Sequence, residues 1–271
     1  MKKIQFTKMV ATGNDFVVVD DRRSQIKVPR PKLARQFCDR KLSIGSDGLL
    51  ILEKSKRADF KMRIFNPDGS EPDMCGNGSR CIALYARLNR IVGSKMRIET
   101  KAGILKASVT KSMVKINMTG PEDLCLNINL KVDGKNRRLH YINTGVPHVV
   151  YFVNNIEKVD LFNLGRAIRF HKKFAPQGTN VNIVQAEGKN AILVRTYERG
   201  VEEETLACGT GSAASAIISG MIKGYNSPVR VNTKGGKLNI YFKLKDNKVT
   251  DVFLEGEAKE VFKGKWGNQN V

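Results

Sequence analysis

The sequence predicts an α+β protein made of two similar halves, and three observations carry that prediction. The chain repeats itself: MCGNGSRCIALY (74–85) matches ACGTGSAASAII (207–218), with the two cysteines 133 positions apart. Each copy of this loop runs into one apolar helical stretch. Most other apolar residues fall in short alternating runs, the period-2 pattern of strands with one buried face.

Taken in order, each copy reads alike. A short β-type run opens it, Phe16–Asp20 in the first and Val149–Val153 in the second. A helical stretch follows, Pro31–Arg40 or Leu161–Lys172, then a glycine turn, Gly45-Ser46-Asp47 or Gly178-Thr179-Asn180. A strand comes next, Leu49–Glu53 or Val181–Gln185, and another, Phe60–Phe65 or Ala191–Tyr197, leads into the cysteine loop. The apolar helices are expected over Ser79–Asn89 and Ser212–Lys223. Hairpins follow: Met96-Ile98 with Leu105-Ala107-Val109 turns at Ala102-Gly103, and the second copy turns at Gly235-Gly236. The 133-residue spacing also aligns KMRIETKAGIL (95–105) with PVRVNTKGGKL (228–238) and Phe37 with Phe170. At a spacing of 132, GNDFVVV (13–19) falls on GVPHVVY (145–151), and MRIFN (62–66) on VRTYE (194–198). Several ordered matches at nearly one spacing indicate a duplicated fold. The halves, 1–119 and 120–263, join near Asn117–Asp123, where Gly120-Pro121 breaks the pattern.

Composition excludes several classes. Of 271 residues 41% are hydrophobic, enough for a sizeable core. No apolar run approaches the roughly 18 residues of a membrane span. The N-terminal stretch is interrupted by Gln5, Thr7, Lys8, Thr12, Asn14 and Asp15, so no signal peptide is read and a cytoplasmic location is expected. Five cysteines, an odd count, argue against a disulfide framework. With no CxxC pair and three histidines, no metal site is expected. The net charge is +21, but the basic residues are scattered and their groups short, such as Arg137-Arg138 and Lys172-Lys173. Aromatic residues do not interleave with them as stacking platforms would, so nucleic-acid binding is not expected as the main function.

The cysteine loops carry the chemistry. In Cys-Gly-x-Gly-Ser the glycines let the backbone turn tightly and approach a ligand. The helix that follows starts with unpaired N–H groups that favour an anion. A cysteine there is expected to have its pKa lowered from about 8.5 toward neutral. Inverting a carbon centre needs a base on one face and an acid on the other, a task that two thiols fit, one as thiolate and one as thiol. The helix N-termini can stabilise charge developing on the substrate carboxylate. Cys81 is read as core, Cys38 and Cys125 as structural, and His140 and His171 as surface residues.

The loops MCGNGSRC and ACGTGSAA, with GNDFVVVD, FNPDGSE, TGVPH and YERG in the same order, resemble diaminopimelate epimerase across nearly the whole chain. That family is a group of cofactor-independent racemases converting LL-diaminopimelate to the meso isomer, for lysine and peptidoglycan precursors. The resemblance implies two pseudo-symmetric domains, each a β-barrel-like sheet around a central helix, with the active site between them. It implies that residues 264–271 return to the first domain, that no cofactor is needed, that the substrate is a small amino acid, and that the protein is a homodimer. By position it makes Cys75 and Cys208 the base and acid, with His148 beside Cys75 and Glu198 beside Cys208. Asn14, Asn66 and Asn182 match ligands to the substrate's polar groups, and Arg199 matches the residue that grips the distal carboxylate. Gly76-Asn77 and Gly209-Thr210 match the donors to the reacting carboxylate, and Glu198 also belongs to that binding set. Two positions depart from the pattern: Val146 where many members have Asn, and Gly48 where some have Gln. A related two-cysteine racemase of different or broader substrate range is the alternative within the class. A basic nucleic-acid-binding protein on the same fold is the alternative outside it.

Overall fold

The computed structural model describes residues 3–246 and 248–267. The chain divides into two compact units, one built from Met1–Ile116 with Gly256–Val271 and the other from Asn117–Glu255. In chain order the elements are β1 (Ile4–Ala11), β2 (Asn14–Asp20), α1 (Arg30–Cys38), β3 (Gly48–Glu53), β4 (Phe60–Phe65), α2 (Gly76–Leu88), β5 (Lys95–Thr100), β6 (Gly103–Thr110) and β7 (Met113–Asn117). They continue with β8 (Glu122–Val132), β9 (Lys135–Asn143), β10 (Pro147–Phe152), α3 (Leu161–Arg169), a 3-10 turn (Lys172–Phe174), β11 (Asn180–Ala186), β12 (Ala191–Glu198) and β13 (Glu203–Thr205). The last are α4 (Gly209–Lys223), β14 (Val229–Thr233), β15 (Gly236–Lys245), β16 (Lys248–Glu257) and β17 (Lys259–Trp266). The duplicated α+β architecture expected from the repeat is therefore what the chain adopts.

In the first unit β17 runs antiparallel to β1, from Val10↔Lys259 to Ile4↔Trp266. Of the residues 264–271 expected to return, 264–266 lie in this strand and 268–271 lie outside the described residues. β1 pairs antiparallel with β2, β2 parallel with β3, β3 antiparallel with β4 and β4 parallel with β5. Helices cover both faces of β3, so Gly48–Leu52 are all buried, as continuous apolar strands require. Leu49 and Ile51 pack with Leu33, Ala34 and Phe37 of α1. Leu50 lies on the other face, against Gly78 of α2.

The second unit repeats this register. Phe16↔Gly48 becomes His148↔Asn180, and Leu49↔Phe65 becomes Val181↔Tyr197, each displaced by 132 residues. Met96↔Ala107 becomes Val229↔Ile240, displaced by 133. The one extra residue therefore enters between Tyr197 and Cys208. α3 packs Leu161, Leu164 and Ile168 on Val181, Ile183 and Tyr197. α4 is buried from Gly211 to Gly220. Its serines survive there because Ser212, Ser215 and Ser219 donate to the carbonyls of Cys208, Gly211 and Ser215 at 2.7–2.8 Å.

Two residues differ from expectation. His140, read as a surface residue, is buried: it stands edge-on to Phe152, and its Nδ1 accepts the N–H of Asn127. Cys125, read as structural, is exposed on β8, on the same outward face as Asn127, Asn129 and Lys131. Among the described residues no helix is long and apolar enough to cross a membrane.

Candidate active site

Both cysteines stand at the same structural position. Cys75 is the N-cap of α2 in an extended conformation, and its Sγ accepts the Gly78 N–H at 3.5 Å. Cys208 caps α4 in the same way, its Sγ accepting the Gly211 N–H at 3.4 Å. The helices therefore begin three residues earlier than the apolar pattern indicated, because the thiol itself supplies the capping acceptor. In each loop the second glycine is the constrained one. A Cβ on Gly78 would stand 3.0 Å from Leu50, and one on Gly211 would stand 2.3 Å from Asn182 Oδ1, whereas a Cβ on Gly76 would meet nothing nearer than 3.8 Å.

Around α2, polar side chains form one directed chain. Arg80 donates to Asn77 Oδ1 at 2.6 Å, Asn77 donates to Asn14 Oδ1 at 2.5 Å, and Asn14 donates to Asp47 Oδ2 at 3.0 Å. An all-donor group at one end and an acceptor at the other fix both amide orientations and leave each Asn a second N–H. Asn66 stands apart, exposed at the turn after β4, where its Nδ2 donates to Ser70 Oγ at 3.0 Å.

Around α4, His148 is wholly buried, and Asn182 donates to its Nδ1 (3.1 Å) and to the Val149 carbonyl (2.9 Å) while accepting from Thr196. The proton of the imidazole is thereby assigned to Nε2, which has no partner among the described residues. Burial, with Arg199 adding repulsion, lowers the His148 pKa to about 3, so the ring is neutral. His148 belongs to the second unit and Cys75 to the first. Asn182, matched to a substrate ligand, is also wholly buried with both N–H groups committed. Asn180, two residues back along the strand, spends one N–H on the Pro147 carbonyl and accepts from the Arg199 backbone N–H at 2.8 Å. The Arg199 guanidinium donates to the Gln177 carbonyl at 3.2 Å. Val146 sits in a loop latched to the helix start, since Thr144 Oγ1 donates to the Thr210 carbonyl at 2.9 Å.

The thiol at Cys208 departs from the expected lowering. Desolvation pushes its pKa up to about 12, the Glu198 charge pushes the same way, and the bonds from Thr210 and Gly211 do not offset them. Glu198 is itself raised by burial, with the Thr205 hydroxyl opposing. Sequence reasoning missed Arg80, Asp47, Thr144 and Asn180. Only Arg80 carried a usable signal, a charged side chain directly before the apolar stretch Cys81–Leu84 of a helix whose last turn has its own basic residue, Arg87.

The family model described as diaminopimelate epimerase matches residues 6–124 and 140–261. The diaminopimelate epimerase of Aquifex aeolicus is 44% identical, covering 97% of each chain. That of Methanocella arvoryzae is 42% identical, again over 97% of each. Among solved structures, a phenazine biosynthesis protein of the PhzF family from Bacillus anthracis superposes with TM-score 0.77 at 19% identity, covering 99% of this chain and 100% of that one. A probable proline racemase from Agrobacterium radiobacter K84 superposes with TM-score 0.70 at 14% identity, covering 97% and 93%. These two share the fold. With the family model matching most of the residues and relatives above 40% identity along nearly the full length, the chain belongs to the diaminopimelate epimerase family.

Proposed function

We propose that the protein epimerises LL-diaminopimelate to meso-diaminopimelate without a cofactor, Cys75 and Cys208 serving opposite faces of one α-carbon. The observation that carries this reading is the pair of cysteine caps, equivalent in backbone and unlike in surroundings. Cys75 as thiolate takes the α-proton, so that the C–H bond breaks and an S–H bond forms. Cys208, held as a thiol by burial, gives its proton to the other face and becomes the thiolate. In the reverse direction the roles exchange. The negative charge developing toward the α-carboxylate is met by the first-turn N–H groups at Gly76-Asn77 and Gly209-Thr210, which are orphan donors.

The remaining groups fall into place around that step. Neutral His148, with Nε2–H available, serves the Cys75 side, and Glu198 tunes Cys208. Asn14 and Asn66 take substrate polar groups, and Arg199 takes the distal carboxylate. Asn180 is a better ligand than Asn182, because Asn182 has no N–H left and acts by holding His148. A homodimer in the cytoplasm completes the reading. Exposed Val261 and Phe262 on β17 are apolar surface that a second copy would cover.

The test is α-proton exchange in deuterated water over a panel of amino acids. LL-diaminopimelate should exchange and form meso product, while proline and histidine should not. Exchange confined to another amino acid would remove the substrate assignment.

A further inference from the structure

Arg80 is fully buried, in the first turns of the helix that Cys75 caps. Its Nη2 donates to Asn77 Oδ1 and Thr12 Oγ1, its Nη1 donates to the Gly76 carbonyl at 3.3 Å, and its Nε has no partner among the described residues. All three acceptors are neutral, and no carboxylate is paired with it among the described residues. A guanidinium without a counter-ion is costly to bury, and such cost persists where the charge has another use. The titratable groups whose charges reach this spot are Cys75 and Cys81 on α2, and Asp15 on β2. Asp15 is already held by Lys8 of β1 and by Arg40. Cys81 is held as a thiol by complete burial, its pKa raised. Further along α2, Asp20, Arg22 and Glu260 face Tyr85. The position equivalent to Arg80 in the second copy, 133 residues on, is Ala213.

We propose that Arg80 is a positioning residue for the Cys75 half of the reaction: its guanidinium is the buried counter-charge of the Cys75 thiolate and the anchor that orients Asn77 and Asn14. The proposal rests on the reading of Cys75 as a catalytic base. It explains why one duplicated thiol is the resting base and the other the resting acid. Cys75 has a buried cation at the base of its helix, whereas Cys208 has an alanine in that place and the Glu198 carboxylate beside it. It also separates two functions of one side chain. The charge governs ionisation of Cys75, while the planar fork, which bonds Asn77, Thr12 and the Gly76 carbonyl together, governs the amides. Lysine keeps the first and loses the second.

The experiment uses the full-length protein with Arg80→Met and Arg80→Lys. Iodoacetamide labels Cys75 across pH 5–10, peptide mass mapping reads that site separately from Cys208, and LL-diaminopimelate turnover is measured alongside. Arg80→Met should move the labelling midpoint of Cys75 up by about one pH unit or more, with Cys208 labelling unchanged. Arg80→Lys should keep the wild-type midpoint and raise KM for LL-diaminopimelate by roughly tenfold, because the amides lose their orientation. An unshifted midpoint in folded Arg80→Met overturns the proposal. Should that variant fail to fold, Arg80→Lys decides: a retained midpoint with raised KM supports it, and a shifted midpoint or a wild-type KM overturns it. If the wild-type protein labels as described but turns over no diaminopimelate, the substrate reading fails while the labelling still tests the counter-charge.

Discussion

Cys208 holds its proton because its Sγ is out of water and faces the Glu198 carboxylate, and one backbone N–H and the Thr210 hydroxyl do not make up that loss. Its ordinary value near 9 is raised to about 12, so the stability it confers is present below pH 9 and lost as pH rises from 9 toward 12. Cys208→Ala should therefore flatten the fall of thermal stability over that alkaline window. His148 has the opposite sign: lowered from 6.5 to about 3, it stabilises above pH 6.5 and loses that contribution as pH falls toward 3. One such proton changes the unfolding free energy by up to about 1.4 kcal/mol per pH unit, so His148→Gln should flatten the acid limb measurably by denaturant titration. An acid limb unchanged in that variant would assign it elsewhere, with His140, also lowered by burial, as the next residue to replace. On activity, Cys75→Ser and Cys208→Ser should each cost at least about 100-fold in kcat, the range for losing general acid or base catalysis. The thiol positions were legible in the sequence because Cys-Gly-x-Gly-Ser announces a helix start. The rise at Cys208 was not, because burial is a property of packing and outweighed the helix N-terminus.

At the scale of elements, the glycines of the two loops are unequal. Gly211→Ala would drive a methyl into Asn182, whose amide is fixed by Val149, His148 and Thr196, and overpacking of this kind costs about 1–3 kcal/mol. Gly76→Ala meets only Ile116 at an ordinary contact distance of 3.8 Å, so it should leave thermal stability unchanged or slightly raised, as replacing a helical glycine by alanine does. Equal losses from the two variants in thermal unfolding would contradict this distinction. The core strands were legible because β2 and β3 are near-continuous apolar runs, β4 alternates Phe60, Met62 and Ile64 with charged residues, and β11 and β12 repeat β3 and β4. β1 and β9 were not: β1 buries Thr7, Lys8 and Met9 in succession and so shows no clean alternation, whereas β8 alternates from Leu124 to Val132, a signal the sequence did carry. His140 was misread for the same reason, its strand burying two successive residues, Leu139 and His140.

At the scale of the molecule, the duplication supplies two equivalent helix caps and then breaks their symmetry. Phe16 in the first copy is His148 in the second, Gly48 is Asn180, and Arg80 is Ala213. The first two substitutions give the second unit its buried imidazole and amide, and the third leaves the buried cation to the first unit. The repeat was legible because ordered matches recur at two spacings one residue apart, and the pairings from β2 to β6 keep them. The network of Arg80, Asn77, Asn14 and Asp47 was not, because it joins residues from three separated segments, α2, the start of β2 and the turn before β3.

In the proposed mechanism two different residues handle the proton that leaves and the proton that arrives. It is tested most directly by following LL-diaminopimelate in deuterated water at early conversion, with the isotope content of substrate and product read by mass spectrometry. Two bases predict that the meso product carries one deuterium at the inverted carbon while recovered LL substrate carries none. Deuterium accumulating in recovered LL substrate as fast as in the product would mean that one group serves both faces, and would contradict the account.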